Sequence, residues 1–189
     1  VELGALEPLV NLLQSGSDVA KEYAAGALGS LAVNRDNQPK IVELGALPPL
    51  VNLLRSGSDD VKRNAARALW NLAAHNPANK TKIVELGALE PLVNLLQSGS
   101  DEAKKNAAGA LMILAINNPA NQAKIVELGA LPPLVNLLPS GSDEAKTNAA
   151  GALMNLAANN PANKTKIVEL GALPPLVNLL RSGSDEAKK

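Results

Sequence analysis

Cysteine and phenylalanine are absent from this 189-residue chain, and histidine, tryptophan and tyrosine occur once each. Each gap excludes a class of chemistry. Without cysteine there is no disulfide framework, thiolate metal site or cysteine nucleophile. A single His75 cannot supply a histidine-pair metal site, and no serine has a histidine–acid partner pattern beside it. Eighteen Lys+Arg balance eighteen Asp+Glu, so the chain lacks the excess basic charge of a nucleic-acid or membrane-surface protein. The longest apolar run, Ala107 to Ile116, is far too short to span a bilayer. The chain opens on Val1-Glu2-Leu3, inside a repeated motif, so no signal peptide is expected. No Gly-rich phosphate loop ending in Lys-Ser/Thr is present. The expectation is a protein that is not an enzyme and uses no cofactor.

What remains is small and aliphatic. Leucine supplies 33 residues, alanine 31 and asparagine 20. Leu and Ala are strong helix formers, and a core built from them without rings points to helix packed on helix.

The chain is internally repetitive. Gly4, Gly45, Gly87, Gly129 and Gly171 each open the string Gly-Ala-Leu-x-Pro-Leu-Val-Asn-Leu-Leu, at spacings of 41, 42, 42 and 42. The copies from Gly87 and Gly129 differ at only 7 of 42 positions. The first is one residue short within Asn34-Arg35-Asp36-Asn37. This divides the chain into units 4–44, 45–86, 87–128 and 129–170 and a partial unit 171–189. A period of this length means a solenoid, whose units bury their apolar faces only against their neighbours.

Punctuation marks three helices per unit. In the fourth copy, Asn118-Pro119 is an N-cap followed by proline at the first helical position. Gly129 stops that short helix. A second begins near Pro132-Pro133 and carries Leu134, Val135, Leu137 and Leu138 to the break at Ser140-Gly141-Ser142. Ser142 is placed to cap a third helix, with Asp143 and Glu144 favourable in its first turn. That helix is expected to run some 17 residues, to about Asn159.

These strings, together with Asn-Ala-Ala-x-Ala-Leu-x-Asn-Leu-Ala and Ile-Val-Glu-Leu-Gly, resemble the armadillo repeat across the whole chain. The details are similar to β-catenin-like and plant U-box-like repeats, and the copies are alike enough for a consensus-like or engineered array. The resemblance implies an all-α, right-handed superhelix of three-helix units. Its third helices would line a concave groove that holds an extended peptide of a partner.

Comparison of the copies locates that face. In the third helix Ala24/Ala65/Ala107/Ala149, Leu28/Leu69/Leu111/Leu153 and Leu31/Leu72/Leu114/Leu156 never change, and their spacing suits a buried stripe. The variable columns follow steps of three and four on the opposite side. They are Tyr23/Asn64/Asn106/Asn148, Gly26/Arg67/Gly109/Gly151, Gly29/Trp70/Met112/Met154, Ser30/Asn71/Ile113/Asn155 and Val33/Ala74/Ile116/Ala158, ending at Asn34/His75/Asn117/Asn159. A repeated core environment would not accept Gly, Met and Trp alike, so this face is expected to be accessible.

The resemblance places a peptide-gripping asparagine near the end of the third helix, which here falls on Asn71 and Asn155. A primary amide donates and accepts at once, matching a peptide backbone whatever its side chains. Ser30 keeps part of that capacity; Ile113 keeps none, so the ladder is broken. Trp70 is read either as a groove contact or as packing on the neighbouring repeat. Arg67 would pair with a peptide carboxylate, stay solvated, or bridge to a nearby acid. Asn64, Asn106, Asn148 and Tyr23 complete the candidate stripe. His75 is read as a solvated residue at a helix end. Gly26, Gly109 and Gly151, in mid-helix, imply close approach of another backbone, from the next repeat or a ligand.

The acidic pockets and Trp–Asn arrays of importin-type members are missing, which speaks against a nuclear-import receptor. Arg67 and the lysines Lys21, Lys62, Lys104 and Lys146 make a neutral or acidic segment the expected partner. No nucleic acid or membrane partner is expected. The alternative is a structural or engineered scaffold without a natural ligand. Leu6, Leu9, Leu12 and Leu13 at one end, and Leu176, Val177, Leu179 and Leu180 at the other, are expected to be under-covered. Head-to-tail or dimeric association would follow.

Overall fold

The computed structural model describes residues 3–182. Among them are thirteen α-helices and no strand. The middle helices of the units are α1 (Leu6–Ser15), α4 (Leu47–Ser56), α7 (Leu89–Ser98), α10 (Leu131–Ser140) and α13 (Leu173–Ser182). The long third helices are α2 (Asp18–Leu31), α5 (Asp59–Ala73), α8 (Asp101–Ala115) and α11 (Asp143–Ala157). The short first helices are α3 (Gln38–Glu43), α6 (Pro77–Glu85), α9 (Pro119–Glu127) and α12 (Pro161–Glu169). The last seven residues of the partial unit lie outside the described residues.

The local signals act as their chemistry requires. Ser17, Ser58, Ser100 and Ser142 each cap a long helix, accepting the backbone N–H three residues on at 3.3–3.4 Å. Asn76, Asn118 and Asn160 cap the short helices in the same way, with proline at the first helical position. Gly45, Gly87, Gly129 and Gly171 turn the chain between short and middle helix at φ of +77° to +84°, a conformation glycine adopts without strain.

The third helix is shorter than the sequence suggested. α11 ends at Ala157 because Asn159 lies in the left-handed region at φ 53°, as do Asn117 and His75 in the equivalent position. The one-residue deletion in the first copy removes that left-handed residue. There Asn34 caps a 3-10 turn, Arg35–Asn37, at a negative φ.

The long helices stack side by side, α2 on α5, α5 on α8 and α8 on α11. Ala65, Ala66, Ala107 and Ala149 are fully buried between them, and their small side chains permit close approach. Leu28, Leu69, Leu111 and Leu153 join Leu50, Leu92 and Leu134 in one core that runs through all units. The molecule is an all-α solenoid without a single centre, in which each buried leucine contributes about 1.5–3 kcal/mol.

The terminal apolar residues fall into three groups. Leu6 and Leu13 are buried because α1 closes onto α2 within its own unit, and Leu179 is buried where α13 meets α10. Leu9 and Leu176 are half-buried. Leu12, Leu173, Val177 and Leu180 are exposed.

Candidate functional site

The variable stripe runs across α2, α5, α8 and α11 and is stitched from repeat to repeat by side-chain amides. Asn64 donates from Nδ2 to the Glu22 carbonyl at 3.2 Å. Asn106 donates to Arg63 O at 3.1 Å and Asn148 to Lys105 O at 3.2 Å. Asn106 and Asn148 are buried by this contact, Asn64 half-buried. Tyr23, at the head of the same column, is 71% exposed.

One helical turn or more further on, Asn71 donates to Gly29 O at 2.8 Å and Asn155 to Met112 O at 3.0 Å. Both remain half-buried, and each keeps its Oδ1 and second amide hydrogen without a partner among the described residues. Asn71 lines an open pocket of about 210 Å³ with Val33, Arg35, Gln38, Ala74 and His75. Asn155 lines the corresponding pocket two repeats on, about 360 Å³, with Asn117, Gln122, Ala158 and Asn159. His75 is exposed at the rim, at φ 60°.

Trp70 is half-buried and its indole lies on Gly109 of the next repeat. A Cβ at Gly109 would stand 2.7 Å from the fused-ring carbons of Trp70. Met112 covers Gly151 in the same manner, and the Asn64 side chain lies 3.5 Å from a Cβ placed on Gly26. These mid-helix glycines therefore admit side chains rather than the backbone expected. At Gly29 the neighbour is backbone, with Ala68 Cα and N each 3.3 Å from a Cβ placed there. Arg67 Nη2 donates to Gly26 O at 2.9 Å and Ser30 Oγ at 2.8 Å. Ser30 itself donates to Gly26 O. Arg67 makes none of the ion pairs among the described residues, and its Nε is buried without a partner.

The size variation that suggested a wholly open face thus has another cause. Large and small residues meet across each boundary: Asn64 with Gly26, Trp70 with Gly109, Met112 with Gly151. A packed interface absorbs such differences when they compensate.

Charge also crosses the boundaries. Glu22 pairs with Arg63 at 3.5 Å, and Lys105 bridges Glu102 at 2.6 Å and Glu144 of the next repeat at 3.1 Å. Burial of Lys105 works to lower its pKa, but hydrogen bonds and attraction to the two carboxylates outweigh it. The ammonium is held above the ordinary lysine value.

A further set of residues is structural and was not singled out from the sequence. Asn79, Asn121 and Asn163 are buried and donate to Leu72 O, Leu114 O and Leu156 O at 2.8 Å, tying each short helix to the preceding long one. Gln38 donates to Ala32 O and to Asn71 O, which fixes the backbone of the candidate asparagine. The available signal was the asparagine three residues after each N-cap, present in every full copy. Among the described residues no group of three or more His, Cys, Asp or Glu could hold a metal ion.

Stacked three-helix units with an amide-bearing third-helix stripe define an α-solenoid of the interaction-scaffold type. The Armadillo/beta-catenin-like repeat matches at residues 1–33, 34–74, 76–114, 118–158 and 160–189, and the chain belongs to this family. Its copies make it a consensus-like armadillo array. A designed armadillo repeat protein superposes with a TM-score of 0.85 at 42% identity, covering 98% of this chain and 78% of that one. Computationally designed armadillo repeat proteins for modular peptide recognition give 0.83 at 41% identity, covering 96% and 77%. A designed armadillo repeat protein in complex with the peptide (KR)4 gives 0.81 at 40%, covering 98% and 78%. No curated protein sequence matches the chain.

Proposed function

We propose that the protein is an interaction scaffold that binds an extended peptide segment of a partner along the groove lined by its third helices. The observation that carries this reading is the state of Asn71 and Asn155. Each amide is oriented by one hydrogen bond to the preceding repeat and leaves one donor and one acceptor facing an open pocket. A peptide N–H and C=O would complete that pair. Trp70, Ser30, Tyr23 and His75 border the path, with Asn64, Asn106 and Asn148 holding its floor together. Arg67, anchored by Gly26 and Ser30, and Arg35 give the amino-terminal part of the stripe positive charge, so a neutral or acidic segment suits it. The (KR)4 peptide of the designed neighbour is basic, of the same charge as Arg67, and would be disfavoured there. The armadillo scaffold family is not generally enzymatic, in keeping with a binding role. Titration of peptides while following Trp70 fluorescence tests the reading. Binding weakened by Asn71→Ala supports it; no response to any peptide, with Asn71→Ala unchanged, refutes it.

The second reading is a structural or engineered scaffold without a natural ligand that self-associates. It is favoured by the exposure of Leu12, Leu173, Val177 and Leu180. Light scattering over a concentration series decides it: growth in mass supports association, and a constant monomer mass contradicts it.

A further inference from the structure

The two pockets at Asn71 and Asn155 are built alike. Each is lined by an asparagine and, three residues on, an alanine: Asn71 with Ala74, and Asn155 with Ala158. The repeat between them departs at both positions. It carries Ile113 and Ile116, both half-buried, on the same stripe. Ile113 packs against the core, as do the half-buried Met112 and Trp70, whose indole covers Gly109 one turn earlier on the same helix face. Four apolar side chains therefore form a shelf between two amides of unsatisfied hydrogen-bonding capacity.

The spacing fits a single ligand. α5, α8 and α11 are successive neighbours, so Asn71 and Asn155 are two helix-packing distances apart, roughly 16–20 Å. Extended chain rises about 3.3 Å per residue, so five or six residues reach from one amide to the other. A strand held at both ends passes over Ile113 near its middle. There no protein amide meets its backbone, and a polar side chain would lose water against Trp70, Met112, Ile113 and Ile116 without gaining a partner.

We propose that this shelf is a specificity subsite for one aliphatic side chain of the bound peptide, central between two backbone grips at Asn71 and Asn155. This rests on the groove reading and adds the ligand's defining residue. Asparagine occupies the Ile113 position in the repeats on either side, so Ile113→Asn is compatible with the fold and converts the shelf to a third amide.

The experiment is selection from a displayed library of random nine-residue peptides, on the wild type and on Ile113→Asn in parallel. The wild type is expected to enrich peptides that share one aliphatic position, and replacing that residue by serine in a selected peptide to weaken binding about tenfold or more. Ile113→Asn is expected to lose the aliphatic preference while still selecting peptides. Selected peptides without a shared aliphatic position, or the same preference on Ile113→Asn, overturn the subsite and leave the groove standing. No enrichment on either protein overturns both.

Discussion

The indole of Trp70 rests on Gly109 of the following repeat, where a Cβ would stand 2.7 Å from its ring carbons. The only tryptophan of the chain is thus part of a boundary between units as well as of the candidate groove. Its half-buried position also makes it a reporter for both.

This contact predicts a sign reversal. Alanine in place of a mid-helix glycine normally gains about 1 kcal/mol of helix stability. With Trp70 present, Gly109→Ala forces the indole aside and is expected to destabilise by a net 1–2 kcal/mol or about that. In a Trp70→Ala background the same change is expected to stabilise. Urea denaturation of the four proteins of this cycle gives the coupling, and additive effects would contradict the packing described.

Asn79→Ala removes the bond to Leu72 O and leaves a buried carbonyl unpaired. A loss of about 1–3 kcal/mol is expected. Asn94→Ala, on the exposed face of α7, is expected to stay within about 0.5 kcal/mol of the parent. Thermal melts of the two variants check this.

His75 is held at φ 60°. Glycine adopts that conformation freely, so His75→Gly is expected to stabilise by about 0.5–1 kcal/mol despite its greater freedom when unfolded. A lower melting temperature would show that the imidazole has a stabilising contact.

Lys105 has a raised pKa in the folded state. Its contribution to stability is therefore complete below the unfolded lysine value, about 10.4, and is lost as pH rises through the higher folded value. Lys105→Thr, the residue of the next copy, is expected to be less stable than the parent at neutral pH. The difference should shrink above about pH 10.5 and be constant below about pH 9.5. Denaturant midpoints across that range test the sign.

Much of this was legible in the sequence because each unit repeats its own punctuation. Ser142, Asn118 and Gly129 announced helix ends by local chemistry alone, and the armadillo pattern followed from their order. The alanine and leucine columns that never change gave the core. The stripe was harder to read, because variation within one column looks like exposure. Only the neighbouring repeat explains it: Gly109 makes sense beside Trp70, and Arg67 beside Gly26 and Ser30. Such pairing lies some forty residues apart in sequence, and helical periodicity within one helix does not express it. The buried Asn79 column was equally hidden, since an asparagine near a helix start reads as surface.

The central claim is that Asn71 and Asn155 grip a peptide backbone. The most direct measurement is recovery from a displayed library of nine-residue peptides on the wild type and on the double variant Asn71→Ala/Asn155→Ala, with folding of both verified by circular dichroism. The account predicts peptides enriched on the wild type that the double variant no longer retains. Equal recovery on both proteins, or none on the wild type, would contradict it.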